Sequence, residues 1–495
     1  MQQNSLVGVE DADDLETVDD GQGAGNTATH EDAGERQALW SQLRGMIGAD
    51  VMSLFSVPVF FMEPITMLQK MGEIMQYMRL LDLAADEEDP DLRLAYVCAL
   101  AISTYSSNER VKKPFNPVLG ETWECHLPGA DGGGDALYVA EQVCHHPPIG
   151  AGHAESAKWS YDITSMIKTK FMGNWVDIWP LGRTRIRLNR TGDVYNLCPP
   201  RTRVNNIFLG RTWIDTFGDM LVSNMNTGAS ALLKFKACNM FGTGRWEVSG
   251  DVCGADGEVK YHIKGHWNDK VTIVKAGASG GTAGGVSAGA GVGGGESGDQ
   301  AGTGSGAGSG APGAAGAGAW EEKALWTKEA MPDDGADKYG FTHFTRFENA
   351  AESCPAGLLS SDSRLRLDRA ALEAGNNGEA GQAKHALEEM QRSERRLREE
   401  RGEQWTPRWF RVAEEADLHE LEQDVGTAVW EWNGKYKAAN EERVRKAGPS
   451  PQCPLDTVFN PWQFKETAEA TAAGMAAGAE GSAVAGGERE GEDSA

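Results

Sequence analysis

Cysteine is scarce and scattered in this chain. Its 495 residues hold eight, at 98, 125, 144, 198, 238, 253, 354 and 453, and no two form a C-x-x-C pair. That spacing excludes a zinc ribbon and a disulfide scaffold, so reduced thiols with no metal and no cofactor are expected. Long hydrophobic runs are missing too. The longest apolar stretch, residues 51–62 (VMSLFSVPVFFM), is too short and too broken to span a bilayer. The first residues are acidic, with no basic and then apolar leader, so no secretory signal is expected and the chain reads as cytoplasmic. Positive charge is short overall: 47 Lys and Arg face 73 Asp and Glu, a formal net charge of −26. This excludes a protein that coats nucleic acid, while leaving room for a local basic pocket.

The acidity is local. Residues 1–35 hold ten acids and no Lys or Arg, and residues 466–495 hold seven acids and one Arg. The ends therefore carry −10 and −6 of the −26, leaving only −10 for everything between. Such ends bury too little apolar surface to offset ordering entropy, and both read as disordered tails. Between them, residues 36–465 read as one globular domain with an N-terminal lid over 36–62. Residues 276–319 are Gly and Ala at 31 of 44 positions, a composition that cannot build a core and reads as a disordered insertion.

Helical spacing of apolar residues marks 38–47, 65–83 and 90–103, the last with Pro90 in its first turn. From about Trp123 to Trp267 the texture changes to short β-rich runs separated by Gly, Asn, Asp and Pro. Strands are expected at 137–143, 153–163, 175–181, 183–189, 206–210, 231–237 and 245–252, ten or more in all, as in a meander or a barrel. Residues 372–401 read as a charged helix whose first third is weakened by GNNGEAG. A further helix rich in both charge signs follows before residue 465. The expected fold is α+β, mainly β.

Four segments could carry chemistry. In EQVCHHPP (141–148), His145 and His146 leave a strand ahead of two prolines, which remove amide donors and hold the following chain extended. The histidines suit a phosphate as imidazolium groups, or a purely structural exit. A metal reading is weaker, because neighbouring strand side chains diverge and no further ligand stands at metal spacing. Divergence also weakens a Cys144–His145 nucleophile, and nothing like a strand-to-helix nucleophile elbow supports a lipid hydrolase. In KKPFNPVLGE (112–121), Lys113 and Asn116 offer a cation and an amide on a loop fixed by prolines, or merely line a solvated turn. Lys384, Glu388 and Arg392 stand at i, i+4 and i+8 on one helix face. They form either a solvated ion-pair ladder or a pair of cations held by Glu388 toward an anion. SDSRLRLDR (361–369) offers arginines that pair with acids or carbonyls, with no chemistry assigned.

EQVCHHPP resembles the EQVSHHPP fingerprint of the oxysterol-binding-protein-related lipid transfer proteins, with Cys144 in place of Ser. LWSQLRGMIGADV, SLFSVPVFFMEPITMLQKM, KPFNPVLGETWE, DSRLRLD, Lys384-x3-Glu388-x3-Arg392 and WTPRWF are similar to further family segments in the same order. Ser360-Ser361 departs from the family's usual Pro-Thr. The resemblance covers about 36–465 and implies an incomplete antiparallel β-barrel around a hydrophobic tunnel, with N-terminal lid and helices and C-terminal helices. It implies a lipid-transfer-domain-only member, monomeric and transiently peripheral at membranes. It implies a non-enzymatic carrier of phosphatidylinositol 4-phosphate that exchanges it for sterol or another membrane lipid, the alternative being a sensor that binds without net transfer. Lys113, Asn116, His145, His146, Lys384, Glu388 and Arg392 would then hold the head group, with His145, His146 and Arg392 on the 4-phosphate.

Overall fold

The computed structural model describes residues 34–469, apart from 35, 38, 39, 42, 51–56, 130–132, 240, 278–321, 334–337, 356 and 448–456. Nearly all of both tails, and the Gly/Ala-rich stretch from its third residue, therefore lie outside the described residues. The N-terminal part comprises β1 (Met62–Thr66), α1 (Met67–Gly72), α2 (Arg79–Asp86), α3 (Pro90–Ser103) and β2 (Lys113–Phe115). Fourteen strands make the main sheet: β3 (Thr122–Leu127), β4 (Ala136–His145), β5 (Pro148–Ser156), β6 (Trp159–Phe171), β7 (Trp175–Leu181), β8 (Thr184–Leu188) and β9 (Val194–Cys198). It continues with β10 (Arg201–Asn205), β11 (Trp213–Asn224), β12 (Ser230–Phe235), β13 (Glu247–Cys253), β14 (Val259–His266), β15 (Lys270–Lys275) and β16 (Lys323–Thr327). After it come α4 (His343–Asn349), α5 (Leu367–Glu373), α6 (Asn377–Arg401), β17 (Phe410–Val412), β18 (Trp430–Trp432) and α7 (Tyr436–Ala447).

The sheet is one antiparallel meander. β7 and β8 lie end to end along β6, and β9 and β10 lie end to end along β11. The kinks fall at Gly182-Arg183 and Pro199-Pro200, so fourteen strands fill twelve lanes. Among the described residues β3 and β16 do not pair, and the barrel stays incomplete. The β3 edge is covered instead: Thr122 N donates to Ser361 O at 2.9 Å and Glu124 N to Asp362 Oδ2 at 3.2 Å. β15 and β16 are neighbours, so the Gly/Ala-rich stretch interrupts this sheet between two paired strands.

α3 lies within the curl, packed on β11 to β14 and β16. Its residues from Leu94 to Ile102 are buried almost all round, as a helix apolar on every face requires. Asp89 caps it, accepting from the Asp91 and Leu92 amides. The lid crosses the end of β6, where Gly48 N donates to Phe171 O at 2.6 Å and Phe171 N to Ala49 O at 3.0 Å. Leu43 is buried there with Phe171, beside Met46, Phe61, Val176 and Phe208.

Four expectations about local structure need correction. The helix expected over 65–83 is broken into β1, α1, a 3-10 turn at Glu73–Tyr77 and α2. Thr66 and Gln69 form a capping box that starts α1 late. Gly72 lies so close to Trp123 that a Cβ would come within 2.4 Å of the ring. The run 153–163 is two strands joined by a turn, in which Ser156 Oγ accepts from the Lys158 and Trp159 amides. Residues 206–210 are not a strand, because the Asn174 side chain takes the Phe208 and Leu209 amides that a ladder would use. The helix expected from 372 begins at Leu367 and breaks after Glu373, with Gly375 at φ +85°, before α6 takes over.

Candidate functional site

A cavity of about 740 Å³ opens between three distant segments: the loop after β2, the β4–β5 turn and the inner face of α6. Lys113, Asn116, His145, His146, Lys384, Glu388 and Arg392, the seven residues singled out from sequence, all line it. Its apolar walls include Met62, Phe115, Val118, Val143, Leu387 and Trp430.

Neighbouring segments fix each of the three. Parallel pairing of Met62 with Lys113 sets the start of the first loop. Arg366 braces its middle, donating to the Asn116 carbonyl at 2.9 Å while gripping Glu121 and Asp368 at 2.9 and 2.6 Å. That gives SDSRLRLDR its structural part, together with the buried Arg364–Asp362 pair at 3.0 Å. Gly120, at φ +79°, lies where a Cβ would come within 2.4 Å of the Trp405 ring. Glu141, in β4, accepts from the Arg408 and Trp409 amides at 2.8 and 2.9 Å, clamping WTPRWF behind the histidines.

The histidines do not run on into extended chain. The strand turns straight back at His146-Pro147, whose peptide bond is cis, and His145 pairs with Pro148. At the turn the two side chains no longer diverge, and the rings meet edge to face with centroids 4.7 Å apart. The expected imidazolium is also corrected. Burial, then His146 and Arg398, pushes His145 down to about 4, so the ring is neutral near pH 7. Burial and Arg395 lower His146 as well.

Lys113 Nζ donates to Asn116 Oδ1 at 2.6 Å and to Pro114 O at 3.0 Å. Burial and the nearby Lys384 and Arg366 hold it down to about 7, with Glu388 opposing. Lys384 pairs with Glu388 at 2.6 Å. Glu388 does not hold both cations as expected, because Arg392 bonds Glu389 at 2.5 Å, the i−3 neighbour being as reachable as the i−4 one. The remaining arginines on this face were missed: Arg395, Arg396 and Arg398 also line the cavity. Continuing the i+3/i+4 spacing past Arg392 would have found them. Crowded cations with few acids repel one another and make a site whose chemistry suits an anion.

No helix among the described residues is long and apolar enough to cross a membrane. A curled sheet with an interior helix, a lid, and one cavity that joins apolar walls to a cationic rim define a lipid-binding protein. The oxysterol-binding protein family model matches residues 38–441, and the chain belongs to that family. Oxysterol-binding protein-related protein 3C of Arabidopsis thaliana is 40% identical over 434 residues, covering 87% of this chain and 85% of the relative. Oxysterol-binding protein homolog 1 of Saccharomyces cerevisiae is 32% identical, and the match spans 83% of this chain but 32% of that longer protein. The Osh1 ORD domain solved with cholesterol has a TM-score of 0.66 at 31% identity, covering 83% of this chain and 89% of that one. The Osh3 ORD of Saccharomyces cerevisiae, solved with PI(4)P, shares the fold with a TM-score of 0.62 at 24% identity, over 82% of this chain and 92% of that one.

Proposed function

We propose that this protein carries lipids between membranes as an exchanger. It takes phosphatidylinositol 4-phosphate by its head group and returns with a second lipid, sterol first among the candidates. The observation that carries this reading is the convergence of seven motif residues and three further arginines on one cavity. A phosphate monoester needs several donors arriving from different directions, and charge-assisted hydrogen bonds are the strong ones. Lys113 and Lys384 supply ammonium groups, Arg392 and its neighbours supply guanidinium forks, and the two rings take up charge once an anion arrives. Asn116 and Glu388 align Lys113 and Lys384 through bonds of 2.6 Å each. Sterol as the second lipid is supported by the cholesterol complex of the Osh1 domain, 31% identical to this chain.

The test removes both rings. His145→Ala with His146→Ala should abolish extraction of phosphatidylinositol 4-phosphate from liposomes and leave sterol extraction largely intact. Undiminished phosphoinositide extraction by the double variant would overturn the site. Transfer between two liposome populations, measured beside simple binding, separates a carrier from a sensor that holds lipid without moving it.

A further inference from the structure

Of the residues lining the cavity, seven are Lys or Arg and one, Glu388, is an acid. The chain as a whole carries −26, so such a cluster draws the protein's own acids as well as any ligand. The arginines at its rim are held weakly. Arg392 and Arg395 are half exposed, at 51% and 55%, and bond Glu389 and Glu399 on their own helix at 2.5 and 3.2 Å. Exposed pairs of this kind contribute little, and a denser group of anions can replace them.

Residues 10–20 read EDADDLETVDD, seven acids in eleven positions with no Lys or Arg. They lie outside the described residues, but the point where the described chain begins is close to the cavity. The Arg36 guanidinium donates to the Gly210 carbonyl at 3.2 Å. The Trp40 ring centre lies 5.1 Å from that of Phe208, which lies 6.0 Å from that of Phe171 at the end of β6. The His145-His146 turn stands beside the same strand, because Ile149 pairs with Met166. Met166 is five residues back from Phe171, or roughly 17 Å along the strand. Residue 20 precedes Gly34, the first described residue, by fourteen positions. Fourteen residues of chain reach up to about 48 Å, enough to bring the run to the rim. The other end of the chain offers less: five acids spread over 480–493, with Arg489 among them.

We propose that the acidic run at 10–20 binds back onto the arginine rim of the cavity and competes there with the phosphate ligand. Its carboxylates offer charged acceptors as a phosphate does, and a guanidinium fork takes either. Tethering makes a weak contact sufficient. A short linker gives an effective concentration on the order of 1 mM, so a contact with a dissociation constant of about 0.1 mM is closed about nine-tenths of the time. Apparent ligand affinity then falls about tenfold. A ligand that also buries acyl chains against the apolar walls overcomes that loss, whereas a small soluble phosphate has nothing to offset it. The run thus screens the rim against small anions. Its effect on a phosphoinositide rests on the function proposed above, while the docking itself does not.

Carbodiimide crosslinking of the full chain, which joins carboxylates to lysines in contact, tests the docking. Peptides joining 10–20 to Lys384 or Lys113 are expected. They should vanish when the run is neutralised by E10Q, D11N, D13N, D14N, E16Q, D19N and D20N together. By calorimetry the neutralised variant should bind a soluble short-chain phosphatidylinositol 4-phosphate about tenfold more tightly at about 50 mM salt, with the gap closing at about 500 mM. Crosslinks confined to Lys168, Lys170 or Lys236, or coming from 480–493 instead, would overturn the placement. Tighter binding by the variant without any crosslink would mean a long-range charge effect and would overturn the docking. Crosslinks with unchanged affinity would overturn the competition. Crosslinks in a protein that binds no phosphoinositide would uphold the docking and overturn the exchange function instead.

Discussion

Two residues of the cavity, Lys113 and His145, give up protons to stay in the empty protein and should regain them with the ligand. Burial beside Lys384 and Arg366 brings Lys113 down to about 7 from 10.5. Between those values the unfolded chain binds more protons than the folded one, so stability of the empty fold rises with pH across that window. Ligand affinity runs the other way. A phosphate favours the ammonium form, so binding takes up a proton, and that proton becomes costlier to acquire as pH climbs above about 7. Stability without ligand should therefore rise while phosphoinositide affinity falls, and Lys113→Met should flatten both slopes. Thermal melts and calorimetry in buffers of different ionisation enthalpy measure the two. Parallel slopes would mean that Lys113 does not meet the phosphate. His145, down to about 4, is silent near neutrality in the empty protein and adds proton uptake only with ligand present.

The elements divide into those whose own sequence determines them and those shaped by a neighbour. α3 was legible to the residue, because Asp89, Pro90 and an unbroken apolar run agree with one another. β7 likewise matched its sequence reading, Trp175 to Leu181. What misled was tertiary. Gly72 and Glu73 answer to Trp123 and Arg110, 51 and 37 positions away, and the helical periodicity around them says nothing of either. Asn174 replaces a strand ladder with a side chain, which no alternation pattern reveals. The seven residues that meet around the cavity were legible through the family's short motifs. Arg366 was not, because its bond to the Asn116 carbonyl spans 250 positions. Glu141 shows how one such bond holds an element. Glu141→Ala leaves the Arg408 and Trp409 amides without their acceptor, which should cost about 1–3 kcal/mol. Hydrogen exchange should speed up first at those two amides, and uniform acceleration across β4 would refute this clamp.

At the scale of the molecule, the cavity exists only because chain from opposite ends of the sequence returns to one place. β2 and β4 come early and α6 late, and the twelve-lane meander between them forms the frame that holds them in register. That β-rich class was plain from alternating runs. The failure to close was legible only through the family resemblance, because no alternating run reveals that Ser361 and Asp362 cover the β3 edge. The exchange proposed above, with two lipids taking the same cavity in turn, makes their binding exclusive rather than additive. Each ligand stabilises the whole fold by about 2.7 kcal/mol at a hundredfold excess over its dissociation constant, and both together should add only about 0.4 kcal/mol to that, where independent sites would double it. Sterol titrated into phosphoinositide-loaded protein should therefore release one phosphoinositide for each sterol bound, as native mass spectrometry would count directly. A stable complex holding both would mean two separate cavities. The cationic rim would then be a sensor of membrane identity, because exchange requires that each lipid leave before the other enters.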